Sequence, residues 1–121
     1  MKVVKGRVVD GLGEGGWYVK LYSSIIEKTL GITPYPGTLN VELVDPPRLD
    51  FKELNYVEIK PPKQGLGGLL AVKALIKDIP VYIVKPVVTR HPPSIIEVIS
   101  AHHLRKKLGL KTGDLIEIIL L

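Results

Sequence analysis

The alternation of apolar and polar residues along this chain predicts many short β-strands and few helices. Strands are predicted over residues 2–9, 17–21, 38–44, 56–60, 69–76, 81–88, 95–99 and 115–121. Short helices are predicted over residues 25–30 and 101–108, each ended by a glycine, and a single helical turn within residues 49–54. Because strands do not alternate with long helices, the pattern indicates one mostly β barrel domain spanning residues 1–121.

Residues 10–16, between the first two predicted strands, are rich in glycine and are termed the glycine segment. Its glycines are Gly11, Gly13, Gly15 and Gly16. A loop of this composition can direct several backbone N–H groups at one anion, although a simple hairpin connection is the commoner explanation. No Lys-Ser or Lys-Thr follows, and residues 17–21 have the pattern of a strand. The segment is therefore predicted to be neither a P-loop nor a turn that opens a helix.

Thr38 and Asn40 form a polar pair on one face of the predicted strand 38–44, opposite its apolar residues. Hard cations such as Mg²⁺ accept neutral oxygen ligands and share the rest of their coordination with water and substrate phosphates. The pair could therefore bind a metal ion. The commoner alternative is a polar pair on the solvent-facing side of an edge strand.

Glu97 lies within the otherwise apolar predicted strand 95–99. Alternation along that strand favours a solvent-exposed carboxylate, and the alternative is a carboxylate turned inward to meet a hydroxyl group. His91 precedes two prolines in the loop before this strand. It could act as an acid–base group, but an exposed loop histidine is the commoner case.

Composition narrows the classes of function. Hydrophobic residues make up 45% of the 121 residues, mainly Val, Ile and Leu, which favours a strand-rich folded domain over a disordered chain. The chain has no cysteine, which excludes disulfides and thiolate zinc sites, and His91, His102 and His103 lack the spacing of a helical metal pair. Short apolar runs and an N-terminus without a signal-peptide pattern predict a cytoplasmic protein with no membrane partner.

The net charge of +5 and the pI near 9.5 predict an anionic ligand, which could be nucleic acid, a nucleotide or another phosphate. Residues 104–114 resemble the second half of AbrB/SpoVT-type swapped-hairpin transcription factors. This gives an alternative function, a DNA-binding barrel that contacts phosphates through Arg105, Lys106 and Lys107. The same cluster could equally be a solvated helix face. Those factors are shorter and complete their barrel by dimerising, whereas this chain can supply both halves, so a monomer is predicted.

Several segments, taken in order, resemble the archaeal CTP-dependent riboflavin kinase family. They are the glycine segment, Pro34-Tyr35-Pro36-Gly37-Thr38-Leu39-Asn40, Thr89 with Glu97 eight residues later, Leu104-Arg105, and the Gly113-Asp114 turn. The ordered set covers nearly the whole chain and is more specific than any one of its parts. The resemblance implies a cradle-loop barrel related to the AbrB fold, with six strands and two or three short helices.

The resemblance also implies an activity and its residues. The activity is transfer of the CTP γ-phosphate to the riboflavin 5′-hydroxyl, giving FMN and CDP with Mg²⁺ as the metal cofactor. CTP and riboflavin would be the partners, and a nucleic acid partner is not expected. Thr38 and Asn40 would bind Mg²⁺, Thr89 and Glu97 would contact the flavin, and Glu97 would be catalytic. The nucleotide would contact Gly11, Leu12, Gly13, Glu14, Gly15 and Gly16, and also His102, His103, Leu104 and Arg105.

The chain departs from the family pattern in two places. Gly16 stands where an arginine can occur, and Lys20 could replace that phosphate contact if its side chain turns inward. Residues 100–103 replace a more apolar stretch that contains proline. The first departure affects phosphate binding, and the second affects how the nucleotide base is selected.

Overall fold

The computed structural model describes residues 2–11, 15–87 and 92–121. Within these ranges the chain forms β1 (Lys2–Val9), α1 (Gly15–Leu30), β2 (Leu39–Asp45), β3 (Tyr56–Ile59), β4 (Leu69–Ile76), β5 (Ile79–Pro86), β6 (Ile95–Ile99), α2 (Leu104–Leu108) and β7 (Leu115–Leu120). A single 3-10 turn, Phe51–Glu53, precedes β3 and is capped by the Asp50 side chain. Neither of the helices in these ranges is long and apolar enough to cross a membrane.

Six antiparallel strands close into a barrel in the order β4-β5-β6-β2-β1-β7. The barrel closes where β7 pairs with β4, with Ala74 opposite Leu120. β3 pairs with the first half of β4 and is a seventh strand outside the closed barrel. This architecture confirms the predicted mostly β, six-stranded barrel with short helices.

The buried apolar residues form two clusters, one inside the barrel and one outside its wall. The inner cluster includes Val4, Val8, Val41, Ile83, Val98 and Ile118, all 0–1% exposed. The outer cluster joins Val19, Tyr22 and Ile26 of α1 to Ile59, Leu69, Ala71, Val84 and Ile99 of the sheet. Since positions 19, 22 and 26 lie on one side of a helix, α1 covers the outer face of the barrel with that side.

The largest difference between the predicted and observed secondary structure lies in the N-terminal half of α1. Residues 17–21 were predicted as a strand, but they continue the same helix that was correctly predicted over residues 25–30. Trp17, Tyr18 and Val19 favour strands when they are considered locally. Burial of one side of the helix against the barrel outweighs that local preference, because most helix stability in proteins comes from tertiary packing.

Helix ends were predicted more accurately than helix starts. Gly31 and Gly109 end the two helices with positive φ values of 74° and 63°, as predicted. α2 begins at Leu104 rather than at residue 101, and its N-cap position is His103 rather than Ser100. The Ser100 hydroxyl instead accepts a hydrogen bond from the His102 backbone N–H and so stabilises the turn that leads into the helix.

Candidate active site

Asn40 and Glu97 are buried neighbours in the barrel wall. Asn40 lies on β2, which is a central strand between β1 and β6, and its register partner on β6 is Glu97. The two residues are only 7% and 6% exposed. The preference for solvent-facing positions was therefore wrong for both residues. Alternation correctly predicts that both side chains face away from the barrel interior. The outer face to which they point is covered by α1 and by the backbone that leads into it.

Three side chains in this wall form a hydrogen-bonded row. The Asn40 Nδ2 group donates to Thr38 Oγ1 at 3.3 Å, and the Thr38 hydroxyl donates to Glu97 Oε1 at 3.2 Å. The remaining amide oxygen, Asn40 Oδ1, is buried and has no hydrogen-bond partner among the residues that the structure describes. Leaving such an oxygen unpaired in a buried position costs about 1–3 kcal/mol, which makes Asn40 Oδ1 a candidate ligand atom.

Two residues of the glycine segment lie directly against this row. A Cβ atom at Gly11 would overlap the Asn40 side-chain amide, and one at Gly15 would lie 2.5 Å from Thr38 Oγ1. A Cβ atom at Gly16 would lie 3.3 Å from the carbonyl oxygen of Pro36, which is a milder contact. The backbone at positions 11 and 15 therefore approaches these side chains more closely than a residue with a Cβ atom could without a shift. Leu12, Gly13 and Glu14 lie outside the described residues.

The glycine segment opens a helix, and the prediction that it joins two strands was wrong. Gly15 and Gly16 form the start of α1, whose first turn contains no acidic residue. The first four N–H groups of a helix have no partner within it, and the helix dipole adds positive potential there. The start of α1 thus offers donors for an anion beside Thr38 and Asn40. Lys20, the suggested substitute for an arginine at position 16, is exposed.

Tyr18 adds a group that the sequence analysis did not identify. It lies one helical turn beyond Gly15, and its hydroxyl oxygen is fully enclosed. Burial, together with the charge of the nearby Glu97 carboxylate, raises the pKa of Tyr18 far above its ordinary value. Helical periodicity through residues 15–30 would have placed Tyr18 beside the buried positions 19, 22 and 26.

Four of the residues predicted to contact the nucleotide, His102, His103, Leu104 and Arg105, line a cavity that Thr38 also lines. This cavity measures about 240 Å³ and is lined by Tyr35, Pro36, Gly37, Thr38, Leu39, Val98, Ser100, His102, His103, Leu104 and Arg105. The rings of Tyr35 and His103 stack in parallel, with centroids 4.6 Å apart and planes inclined by 2°. The structure therefore brings residues 102–105 together with Thr38, as the resemblance implies.

Arg105 also stabilises the end of β1, where the glycine segment begins. Its guanidinium donates to the Val9 carbonyl at 3.1 Å, to Asp10 Oδ1 at 3.3 Å and to Thr112 Oγ1 at 3.1 Å. The Thr112 hydroxyl donates to the same Asp10 oxygen at 2.8 Å. These bonds tie the start of α2 to the end of β1, so Arg105 holds the point from which the glycine segment begins.

A second, more apolar cavity borders Glu97. It measures about 100 Å³ and is lined by Leu49, Phe51, Val84, Lys85, Pro86, Pro92, Pro93, Ile95, Ile96 and Glu97. The Lys85 ammonium lies 5.7 Å from the centroid of the Phe51 ring. Thr89 and His91 lie outside the described residues, so the predicted flavin contact of Thr89 stays a prediction. The Thr38–Glu97 hydrogen bond joins the two cavities.

Comparison with known proteins identifies relatives along almost the whole chain. The family model CTP-dep_RFKase, described as a domain of unknown function (DUF120), matches residues 8–120. A riboflavin kinase of Staphylothermus marinus is 44% identical over 97% of this chain and 90% of its own length. Riboflavin kinases of Pyrobaculum islandicum and Pyrococcus furiosus are 45% and 42% identical over 95% and 96% of this chain. The chain spans 58% and 57% of those two relatives.

Proposed function

Because the chain belongs to the CTP-dependent riboflavin kinase family, we propose that it phosphorylates riboflavin. CTP is the proposed phosphate donor, and FMN and CDP are the proposed products. The observation that supports this most directly is the Thr38–Glu97 hydrogen bond, which joins a polar cavity to an apolar one. Phosphoryl transfer depends mainly on holding donor and acceptor in line, and two adjoining cavities suit that requirement.

The nucleotide is proposed to lie across the start of α1, with its base towards the cavity that contains the stacked Tyr35 and His103. The close approach at Gly11 and Gly15 brings this backbone beside Asn40 and Thr38, so phosphate oxygens held by the N–H groups at the start of α1 would lie near both side chains. The absence of acidic residues from the first turn of α1 avoids repulsion of the triphosphate. Riboflavin is proposed to enter at the apolar cavity beside Glu97 and to extend outward from it.

Thr38 and Asn40 fit the requirements for holding Mg²⁺. The Asn40 Oδ1 oxygen is buried and has no partner among the described residues, and the Thr38 hydroxyl oxygen retains a lone pair after accepting from Asn40. No group of three or more His, Cys, Asp or Glu is placed to hold a metal elsewhere in the described ranges. Bound Mg²⁺ would supply positive charge to the phosphate oxygens of the donor.

Glu97 is proposed to orient the acceptor. Its carboxylate accepts a hydrogen bond from the riboflavin 5′-hydroxyl and directs that oxygen at the γ-phosphorus. The bond between the 5′-oxygen and phosphorus forms while the bond from the γ-phosphorus to the β,γ-bridging oxygen breaks, and CDP leaves. The hydroxyl proton passes to Glu97. Because the transition state of such transfers is loose, alignment contributes more than early removal of the proton.

Replacing Asn40 with alanine is expected to raise the Mg²⁺ concentration for half-maximal activity by at least about tenfold, since a direct oxygen ligand is lost. Thr38→Val should act in the same direction. Asn55→Ala is the matched control, because Asn55 is exposed and lies far along the chain from the site. Activity is measured across a Mg²⁺ titration, and an Asn40→Ala enzyme with the wild-type metal requirement would remove Asn40 from the metal site.

The test of the proposed function is incubation with riboflavin, Mg²⁺ and CTP, ATP, GTP or UTP separately, with FMN measured by chromatography. FMN from CTP alone is the expected result. FMN from ATP instead would preserve the kinase and correct the donor. No FMN from any donor, together with salt-sensitive binding to duplex DNA, would favour the DNA-binding barrel. That alternative is not favoured by the relatives, and Arg105 of its basic cluster already bonds Asp10 and Thr112.

A further inference from the structure

We propose that Tyr18 is a positioning residue for the transfer reaction, whose hydroxyl comes to donate a hydrogen bond to Glu97 and so holds the carboxylate towards the acceptor. This inference rests on the proposed riboflavin kinase activity. It concerns a side chain that acts through Glu97 and does not itself touch either substrate. Three observations support it: the placement of Tyr18 on the barrel wall, the enclosure of its hydroxyl, and its position on the helix that starts at the glycine segment.

The placement follows from the two faces of β6. Ile96 and Val98 point into the barrel, whereas Ile99 belongs to the outer cluster that α1 covers. Glu97 lies two residues from Ile99 on the same face, and its partner on β5, Val84, also belongs to the outer cluster. Tyr18 packs against this cluster from α1. The Tyr18 ring therefore lies on the same region of the outer barrel face as Glu97.

The chemistry of the two groups is complementary. The Tyr18 hydroxyl is enclosed and makes no regular hydrogen bond to any described residue, and burial, together with the charge of the Glu97 carboxylate, raises the pKa of Tyr18. A phenol that keeps its proton can donate it to a carboxylate, and a carboxylate has about four acceptor sites, of which Thr38 uses one. A small rotation that completes the bond would satisfy the buried hydroxyl and give Glu97 a further donor.

The position of Tyr18 on α1 gives this bond a functional consequence. Gly15, in the first turn of the same helix, packs against Thr38, and Thr38 donates to Glu97. The helix thus contacts the Thr38–Glu97 pair at two points, through Gly15 at its start and Tyr18 one turn later. A nucleotide that fixes the start of α1 would also fix the Tyr18 hydroxyl, so donor binding and acceptor alignment are linked through one rigid element.

The test compares Tyr18→Phe with Tyr22→Phe, which removes a hydroxyl from the next turn of the same helix. The Tyr22 hydroxyl donates to the Gly67 carbonyl, away from Glu97. Tyr18→Phe is expected to lower kcat about tenfold and to leave the KM for CTP nearly unchanged, as removal of a hydrogen bond to a charged group predicts. Tyr22→Phe is expected to lower the melting temperature and to keep the wild-type kcat below its unfolding range.

A double-mutant cycle separates positioning from general packing. If Tyr18 acts through Glu97, then Tyr18→Phe has no further effect on single-turnover rates once Glu97→Gln is present. Wild-type turnover in Tyr18→Phe, or an equal loss in both backgrounds, would overturn the inference. Failure of the proposed kinase function is a different result, because the wild-type protein itself would then form no FMN, and the positioning role would be withdrawn with it.

Discussion

Glu97→Gln is expected to lower kcat for FMN formation by about a hundredfold or more, while the KM for riboflavin changes by less than about threefold. Glutamine keeps the size of the side chain and an oxygen that can accept from Thr38 Oγ1, which lies 3.2 Å from the present carboxylate oxygen. It loses the negative charge that favours alignment of the acceptor hydroxyl and the ability to take its proton. The substitution therefore slows the chemical step more than it weakens binding. Single-turnover kinetics measure the rate of the chemical step, and steady-state kinetics measure kcat and KM.

Glu42→Gln is the matched control for this substitution. Glu42 lies on β2, two residues beyond Asn40, and it is exposed. Removing its charge changes the net charge of the protein by the same amount without reaching the site. The free energy of unfolding of Glu97→Gln should stay at or above the wild-type value, because the change removes a buried charge and keeps its shape. Unchanged turnover with weaker riboflavin binding would make Glu97 a binding residue instead.

The barrel strands were predictable because their pattern is local. β4 and β6 match the predicted runs 69–76 and 95–99, and the flanking turns contain the glycine, proline, aspartate and serine residues that commonly end strands. Leu39, Val41 and Leu43 were correctly assigned to one buried face of β2. Period-two alternation needs no knowledge of the rest of the fold, so these features follow from the order of residues alone.

The burial of the site was not predictable in the same way. Alternation shows that Asn40 and Glu97 face away from the barrel interior, but it does not show what covers that outer face. The cover is α1, whose N-terminal half has a local preference for strand at Trp17 and Tyr18. Because that half was assigned to a strand, nothing remained to shield the outer wall, and solvent exposure was the expected outcome for both polar residues.

The resemblance supplied what periodicity could not. It associated Thr38, Asn40 and Glu97 although 59 residues separate Thr38 from Glu97, and the structure joins them through hydrogen bonds. It did not indicate Tyr18, because that residue lies outside the motifs on which the resemblance depends. The bracing bonds from Arg105 to Val9, Asp10 and Thr112 were also missed, since they depend on the packing of α2 beside the end of β1.

Gly15→Ala is expected to lower kcat/KM for CTP by about a hundredfold, because its Cβ atom would lie 2.5 Å from Thr38 Oγ1 and must displace the Thr38 side chain or the start of α1. A displacement of about 1 Å at a phosphoryl-transfer site has consequences of this size. Helix propensity acts in the opposite direction, since alanine is favoured over glycine by about 1 kcal/mol within a helix.

Gly16→Ala is the matched control, because its Cβ atom meets the Pro36 carbonyl oxygen at 3.3 Å and a small shift relieves the contact. Kinetics and melting temperatures of both variants are measured together. Equal activity in the two would show that close approach at position 15 is not required, whereas loss in Gly15→Ala alone, without a lower melting temperature, would place the glycine segment on the substrate path.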